Sequence, residues 1–362
     1  MKIIKLNLKK RSYNIVAGSH IIGLLGGYIK KLNIGRDAYI ITNAAIKSRY
    51  ARVLERTLRG SGFESRLKLI PDTEKSKSIN IAASIIADLA SYDKKRKVFI
   101  IALGGGVVGD VAGFVASIYK RGIPYIQIPT TLLAQVDSAI GGKTAVDLAQ
   151  GKNLVGAFYQ PRLVFSDLSF LETLDLKQIQ SGLAEAIKYG IIKDAQLFSY
   201  LERNLGDCLA LKTAPLEFIV KRCSYLKAKI VERDEREEKG IRTILNFGHT
   251  IGHAIEAAGD FKRYNHGQAI ALGMLVACEM SKRLSFIQDN ILARIEKLVK
   301  AAGLPAKINK ISLAKILKAH YRDKKFLGKK NRFVLIRDIG KTKIVENIPL
   351  ALIKEAIASR SS

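Results

Sequence analysis

The sequence predicts an α/β N-terminal domain built on a mostly parallel, doubly wound sheet, followed by a mainly α-helical C-terminal domain. Three observations carry this. Short apolar runs alternate with helical periods through the first half. From about residue 176 helical periodicity dominates. Between them, the apolar run Val98–Leu103 enters a glycine cluster, Gly104-Gly105-Gly106, as a strand does when it turns into a helix.

In chain order, residues 2–7 and 12–17 read as a strand pair across the polar turn Lys9–Ser12. Ala38–Thr42 is a strand, Ala44–Leu58 a helix, Phe63–Ile70 a strand and Ser76–Ser91 a helix. Val98–Leu103 is a fully buried strand and Tyr125–Pro129 a short one. Helices are expected over 176–204, 214–232, 246–258, 267–285 and 289–301. Arg332–Arg337 and Thr342–Val345 form a small strand pair, and a last helix starts near 348. The expected domains are 1–176 and 177–362, with the active site in the cleft between them.

At roughly 150 residues per domain, a chain of 362 residues also suggests two domains. Hydrophobic residues at 48% and charged residues at 26% exclude wholesale disorder. The cysteines Cys208, Cys223 and Cys278 form no C-x-x-C pair, which argues against a disulfide scaffold or thiolate zinc site and for a reducing compartment. The N-terminus lacks the apolar core of a signal peptide, and the longest apolar stretch, Ala269–Cys278, is about half the length of a membrane span. A soluble cytoplasmic protein is expected, with no membrane partner. The net charge of +29 is spread over scattered Lys and Arg, with clusters at Lys94–Lys97 and Lys324–Arg332. The first cluster has no aromatic and the second only Phe326, short of the interleaving of a single-strand binder, so no specific nucleic-acid partner is expected.

The chemistry concentrates in a few segments. Gly104 to Asp110 fits G-x-G-x-x-G and favours a dinucleotide or phosphate site over a plain tight turn, although no acidic residue follows at the usual distance. Gly142-Lys143-Thr144 resembles the end of a nucleotide-binding loop, but Asp137 stands where the leading glycine belongs, which disfavours a nucleoside triphosphatase. A lysine flanked by glycine still suits an anion, and Gly151-Lys152-Asn153 repeats that chemistry. Of five histidines, His249, His253 and His266 fall within 18 residues. The i, i+4 pair His249/His253 has metal-ligand spacing, with Thr250 where a zinc protease has glutamate. Glu185 and Lys188 share a helical face at i, i+3. By spacing alone, Glu185, Asp137 and Glu256 are equally eligible as a carboxylate ligand.

Taken together, these segments resemble the 3-dehydroquinate synthases of the sugar-phosphate cyclase superfamily. The likeness runs through Pro71-Asp72-x-Glu74-x-x-Lys77-Ser78, GGGVVGD from Gly104 and Arg121-Gly122. It continues through PTTLLAQVDSAIGGKTAVD from Pro129, GKNLVGAFYQP from Gly151 and SGLAEAIKYG from Ser181. KAKIVERDERE from Lys227 and LNFGHTIGHAIE from Leu245 with His266-Gly267 complete it. The resemblance implies a Rossmann-like NAD-binding domain, a helical metal- and substrate-binding domain, and conversion of 3-deoxy-D-arabino-heptulosonate 7-phosphate to 3-dehydroquinate and phosphate. That reaction is the second step of the shikimate route to chorismate and the aromatic amino acids.

The metal, zinc or cobalt, is implied at Glu185, His249 and His266, which replaces the spacing-based pairing of His249 with His253. NAD contacts are implied at Asp72, Glu74, Lys77, Gly105, Gly106, Val107, Val108, Gly109 and Asp110. Others fall at Thr130, Thr131, Leu133, Lys143, Lys152, Phe170, Leu171, Glu172 and Thr173. Asn43 stands near the adenosine ribose, where many members carry an acidic residue. Asp137 and Lys188 would meet substrate hydroxyls, and Lys227 and Arg242 the carboxylate. Lys143, Asn153, Asn246, His253 and either Lys324 or Lys325 would meet the phosphate, joined by Arg121 of a second subunit in a homodimer. Asp137, Lys188 and His253 are the implied catalytic residues. Glu237-Glu238-Lys239-Gly240 is one residue longer than usual.

The implied reaction is redox-neutral, so NAD is recycled: oxidation of a ring alcohol acidifies the adjacent C–H, and phosphate leaves by β-elimination. Re-reduction, ring opening and an intramolecular aldol step follow. Two alternatives share the motifs: another cyclase such as a 2-deoxy-scyllo-inosose synthase, or a metal-dependent alcohol dehydrogenase. Lys227 and Arg242 argue against the former, whose substrate has no carboxylate to offset two cations.

Overall fold

The structure is a computed structural model that describes residues 1–93, 96–322 and 331–361. Lys324 and Lys325 lie outside the described residues. The chain divides into two compact units, Met1–Leu174 with Leu216–Arg236, and Asp175–Pro215 with Glu237–Ser362. A helical stretch from the second half thus belongs to the N-terminal unit, which the two-segment division at residue 176 does not anticipate.

The N-terminal unit contains β1 (Lys2–Leu6), β2 (Tyr13–Gly18), α1 (Leu25–Leu32), β3 (Asp37–Thr42), α2 (Ala44–Ile46), α3 (Arg52–Gly60), β4 (Glu64–Leu69), α4 (Ile79–Tyr92) and β5 (Val98–Gly104). It continues with α5 (Gly106–Ile118), β6 (Tyr125–Pro129), the hairpin β7 (Lys143–Leu148) and β8 (Gly151–Phe158), and β9 (Leu163–Asp167). Seven strands form one sheet in the order β1-β2-β9-β6-β5-β3-β4, in which only the β1–β2 pair is antiparallel. Strand β5 is apolar throughout because both its faces are covered. Ile100 and Ala102 enter one core cluster, while Phe99, Ile101 and Leu103 enter another. The chain runs from β3 outward to β4 and returns to the other side of β3 as β5. The strand order therefore reverses between β3 and β5, where doubly wound folds form a ligand crevice at the carboxyl ends. Asn43 and Gly105 follow those two ends directly.

The C-terminal unit contains α6 (Leu176–Lys193), α7 (Ala195–Leu209), the start of α8 (Thr213–Arg233), α9 (His249–Ala258), α10 (His266–Arg283), α11 (Asp289–Ala301) and α12 (Leu313–Arg322). The strand pair β10 (Arg332–Asp338) and β11 (Lys341–Glu346) and helix α13 (Leu350–Ala358) follow. Helices α6 and α10 are buried nearly all round, as central helices of a bundle must be. Among the described residues, no helix is long and apolar enough to cross a membrane.

Several elements depart from the sequence pattern. The helical period over 176–204 is two helices, broken at Asp194, whose carboxylate accepts from the Gln196 and Leu197 amides and caps α7. The helix from Ala44 passes through one wide turn at Lys47–Ala51. Strand β9 is hidden in the sequence by the polar pair Ser166 and Asp167, both fully buried. Asp167 is satisfied there by the amides of His20, Ile22 and Ser169. Helices α1 and α12 and the β7–β8 hairpin are also unanticipated; the hairpin's glycine–lysine segments read as anion loops rather than as paired strands.

Candidate active site

In the C-terminal unit three helices converge on one carboxylate. Glu185 lies in the middle of α6, whereas His249 and His266 are the first residues of α9 and α10. The start of α10 is fixed by a reciprocal cap: Asn265 accepts from the Gln268 amide, and the Gln268 side chain accepts from the Asn265 amide. Glycines let these helices approach. A Cβ on Gly273 would lie 2.0 Å from the Gly248 carbonyl oxygen, and one on Gly267 would lie 2.4 Å from Ser181 Cα on α6. Two histidine-bearing helix ends are thereby drawn against the face that carries Glu185.

The Nε2 atoms of His249 and His266 each lie 3.4 Å from Glu185 Oε1, and ligand atoms of all three residues fall within 4.8 Å of one another. The Nδ1 of His249 lies 3.0 Å from the Phe247 carbonyl oxygen, and that of His266 lies 3.7 Å from Glu256 Oε2. His253 joins the same cluster, its ring centre 5.3 Å from that of His249, and its donors group with Glu256 and His266. The spacing-based pair therefore does lie side by side, but the buried carboxylate sits with His249 and His266.

Glu185 is buried and ion-paired with Lys188 one turn on. Burial pushes the Glu185 pKa up, but the charge of Lys188 and contact with His249 outweigh it, so the carboxyl is held well below its usual range. His249 is pushed down by burial and by the Lys188 charge, which favours a neutral ring. His266 is pushed up to about 10, because Glu185 and Glu256 more than offset its burial. Glu185 Oε2 is taken up by the Lys188 ammonium, while Oε1 faces the two imidazole Nε2 atoms at 3.4 Å. A buried anionic acceptor facing two imidazole nitrogens fits a divalent cation of the zinc type.

The other predicted residues fall into separate groups. In the N-terminal unit, buried Lys77 lies 2.8 Å from Asp110 Oδ2 and donates to Asn153 Oδ1 at 2.5 Å. Glu74 lies 3.8 Å from Lys77 and 3.3 Å from Lys152. One ionic cluster thus ties the glycine turn to the β7–β8 hairpin, and the Asp147 carboxylate holds the Asn153 amide at 2.7 Å. The cap of α5 is Gly105, which has no side chain to bond the first-turn amides. Those amides suit a pyrophosphate, as NAD would bring. Thr131 packs beside the turn: a Cβ on Gly105 would lie 3.1 Å from it. Thr130 is buried and Leu133 partly so.

Lys227 Nζ donates to Asp137 twice, at 2.9 Å to the carboxylate and 2.7 Å to the carbonyl oxygen. In the C-terminal unit, Arg242 is buried with Glu237 at 3.8 Å, and Asn246 ends the same short turn. Asn43 caps α2 by accepting from the Ile46 amide. Val108, Phe170 and Leu171 point into the core, so only their backbones could meet a cofactor. Glu172 pairs with His20, and Thr173 bonds Tyr50. Arg121, Lys143 and Asp72 are exposed. Sequence reasoning missed Asp147 and Glu237 as partners: both fall at the ends of family motifs, but neither carries an implied role there, and only the fold brings Asp147 to Asn153 and Glu237 to Arg242. Glu256 was legible only as one of three eligible carboxylates.

Residues 67–181 match the family model described as 3-dehydroquinate synthase N-terminal, and residues 182–326 the one described as 3-dehydroquinate synthase C-terminal. A 3-dehydroquinate synthase from Caldanaerobacter subterraneus subsp. tengcongensis is 48% identical over 345 residues, spanning 95% of this chain and 97% of its own. A solved 2-deoxy-scyllo-inosose synthase, complexed with carbaglucose-6-phosphate, NAD+ and Co2+, covers 99% of this chain and 100% of its own with a TM-score of 0.89 at 26% identity. The 2-epi-5-epi-valiolone synthase of Streptomyces hygroscopicus subsp. jinggangensis 5008, with NAD+ and Zn2+ bound, covers 98% of each chain with a TM-score of 0.88 at 25% identity. With both family models matched in order and a relative this similar over nearly its whole length, the chain belongs to the 3-dehydroquinate synthase family.

Proposed function

We propose that the chain converts 3-deoxy-D-arabino-heptulosonate 7-phosphate to 3-dehydroquinate and phosphate, using NAD and one zinc or cobalt ion. The observation that carries this is the meeting of Glu185, His249 and His266 around a buried carboxylate. When bound, the ion supplies Lewis acidity at substrate hydroxyls, and NAD supplies a hydride acceptor regenerated within each turnover.

The chain's own residues bind and orient. Lys188, buried beside Glu185, donates to a substrate hydroxyl. Asp137 accepts from another, its carboxylate steadied by Lys227. Lys227 and Arg242 bond the substrate carboxylate; both are buried, and each already lies beside a carboxylate of the chain, Asp137 at 2.9 Å and Glu237 at 3.8 Å. Lys143, Asn153, Asn246 and His253 hold the phosphate through charge-assisted hydrogen bonds, which fixes the reacting carbon. Asn43, Lys77, the Gly105–Asp110 turn and Thr130–Leu133 hold NAD. Arg121 completes the phosphate site of a second copy in a homodimer, working in the cytoplasm.

The test is phosphate release from 3-deoxy-D-arabino-heptulosonate 7-phosphate by the purified protein with NAD, with and without a chelator. Chelator-sensitive release, 3-dehydroquinate as product and no accumulating NADH are expected. Release from glucose 6-phosphate instead would move the chain to the carboxylate-free cyclases, and steady NADH formation would make it a dehydrogenase.

A further inference from the structure

The two histidines that face Glu185 each have an acceptor on the other side of the ring. In His249, Nε2 lies 3.4 Å from Glu185 Oε1, and Nδ1 lies 3.0 Å from the Phe247 carbonyl oxygen. A carbonyl oxygen can only accept, so Nδ1 carries a proton, and in the neutral ring Nε2 keeps its lone pair. In His266, Nε2 again lies 3.4 Å from Glu185 Oε1, and Nδ1 lies 3.7 Å from Glu256 Oε2. Glu256 is buried on α9, one turn beyond His253. None of the roles assigned above uses it.

We propose, on the basis of the metal assignment above, that Glu256 is a positioning residue for the metal centre. Its carboxylate lies 3.7 Å from His266 Nδ1, longer than a hydrogen bond in the metal-free chain, and in the loaded protein it would accept from Nδ1–H, fixing the ring's tautomer and plane so that Nε2 faces the ion. The carbonyl of Phe247 does the same for His249. An acceptor behind a ligating imidazole also raises its basicity, and removing such partners typically weakens metal binding about 10- to 100-fold. His253, Glu256 and His266 also form a donor set of their own. An ion there would need a lone pair on His266 Nδ1, whereas positioning needs a proton on it. The two roles are therefore exclusive in a neutral ring.

The experiment compares wild type, Glu256→Ala and Glu256→Gln by zinc titration against a competing chelator and by the visible spectrum of the cobalt-loaded protein. Wild type should bind one ion. Glu256→Ala should bind it about 10- to 100-fold more weakly, with an altered cobalt spectrum. Glu256→Gln, whose amide oxygen still accepts, should stay close to wild type. In zinc-loaded wild type, long-range 1H–15N spectra should show His266 protonated at Nδ1, a readout that needs no variant to fold. Unchanged affinity and spectrum in Glu256→Ala would overturn the proposal, as would Glu256→Gln falling as far as alanine. A second zinc equivalent lost with Glu256 while the first is kept would assign the residue to the other donor set and overturn it too. Wild type that binds no metal would instead sink the metal assignment itself.

Discussion

Lys188 and Glu185 pair one helical turn apart on α6, with neither side chain more than 2% exposed. So deep an ion pair is poor evidence of stability in itself, but breaking it leaves one charge buried alone. Lys188→Ala should therefore cost the metal-free protein about 3–5 kcal/mol. A bound divalent ion would supply the missing positive charge and reduce that loss. Denaturant unfolding with and without zinc measures the difference, and equal losses in both states would contradict it. Turnover should fall about 100-fold or more even when metal is loaded, given what a positioned proton-transfer group contributes.

The close crossing of α9 and α10 makes a second prediction. In Gly273→Ala the new methyl meets the Gly248 carbonyl oxygen at 2.0 Å, a backbone atom that cannot rotate away. The helices must part, at a cost of about 1–3 kcal/mol, and His249 and His266 separate with them. Zinc affinity should fall along with the melting temperature. Gly206→Ala on α7 is the control: nothing lies within 4 Å of that Cβ, and helix propensity predicts a gain of about 0.5–1 kcal/mol.

Metal binding should depend on pH through His266. Its folded pKa is raised to about 10 in the metal-free chain, so near neutrality the ring carries a proton that the ion must displace from Nε2. His249 is pushed down and already neutral there. Zinc affinity should rise about tenfold per pH unit between about pH 6 and pH 8, with one proton released per ion in calorimetry across buffers of different ionisation enthalpy. Affinity flat over that range would contradict it.

Much of this arrangement is legible in the sequence because it follows from local rules. Alternation across two covered faces marks β5, and the unusual density of histidine marks the helix ends that meet Glu185. What stays hidden depends on tertiary partners. Asp167 looks like a turn residue until the amides of His20 and Ile22, far away in sequence, are brought to it. The Leu216–Arg236 stretch has ordinary helical periodicity, and nothing local says which unit it joins. Choosing Glu185 over Asp137 and Glu256 needs the helix crossing that glycine contacts set, which spacing cannot supply.

Burial pushes the thiols of Cys208 and Cys278 up to about 12. The thiolate is the reactive form, so at pH 8 both should be nearly inert to iodoacetamide in the native protein. Cys223 is buried as well. All three should alkylate quickly once the chain is unfolded in guanidinium, and mass spectrometry counts the adducts. Rapid native labelling of Cys208 or Cys278 would show that its helix opens far more readily than its packing implies.

The most direct test of the metal centre is metal content and phosphate release in His266→Ala. After loading with zinc and dialysis, the wild type should retain one ion and turn over 3-deoxy-D-arabino-heptulosonate 7-phosphate. The variant should retain almost none and release no phosphate, while its circular dichroism stays that of a folded protein. A folded His266→Ala that keeps a full equivalent of zinc would contradict the Glu185, His249 and His266 site.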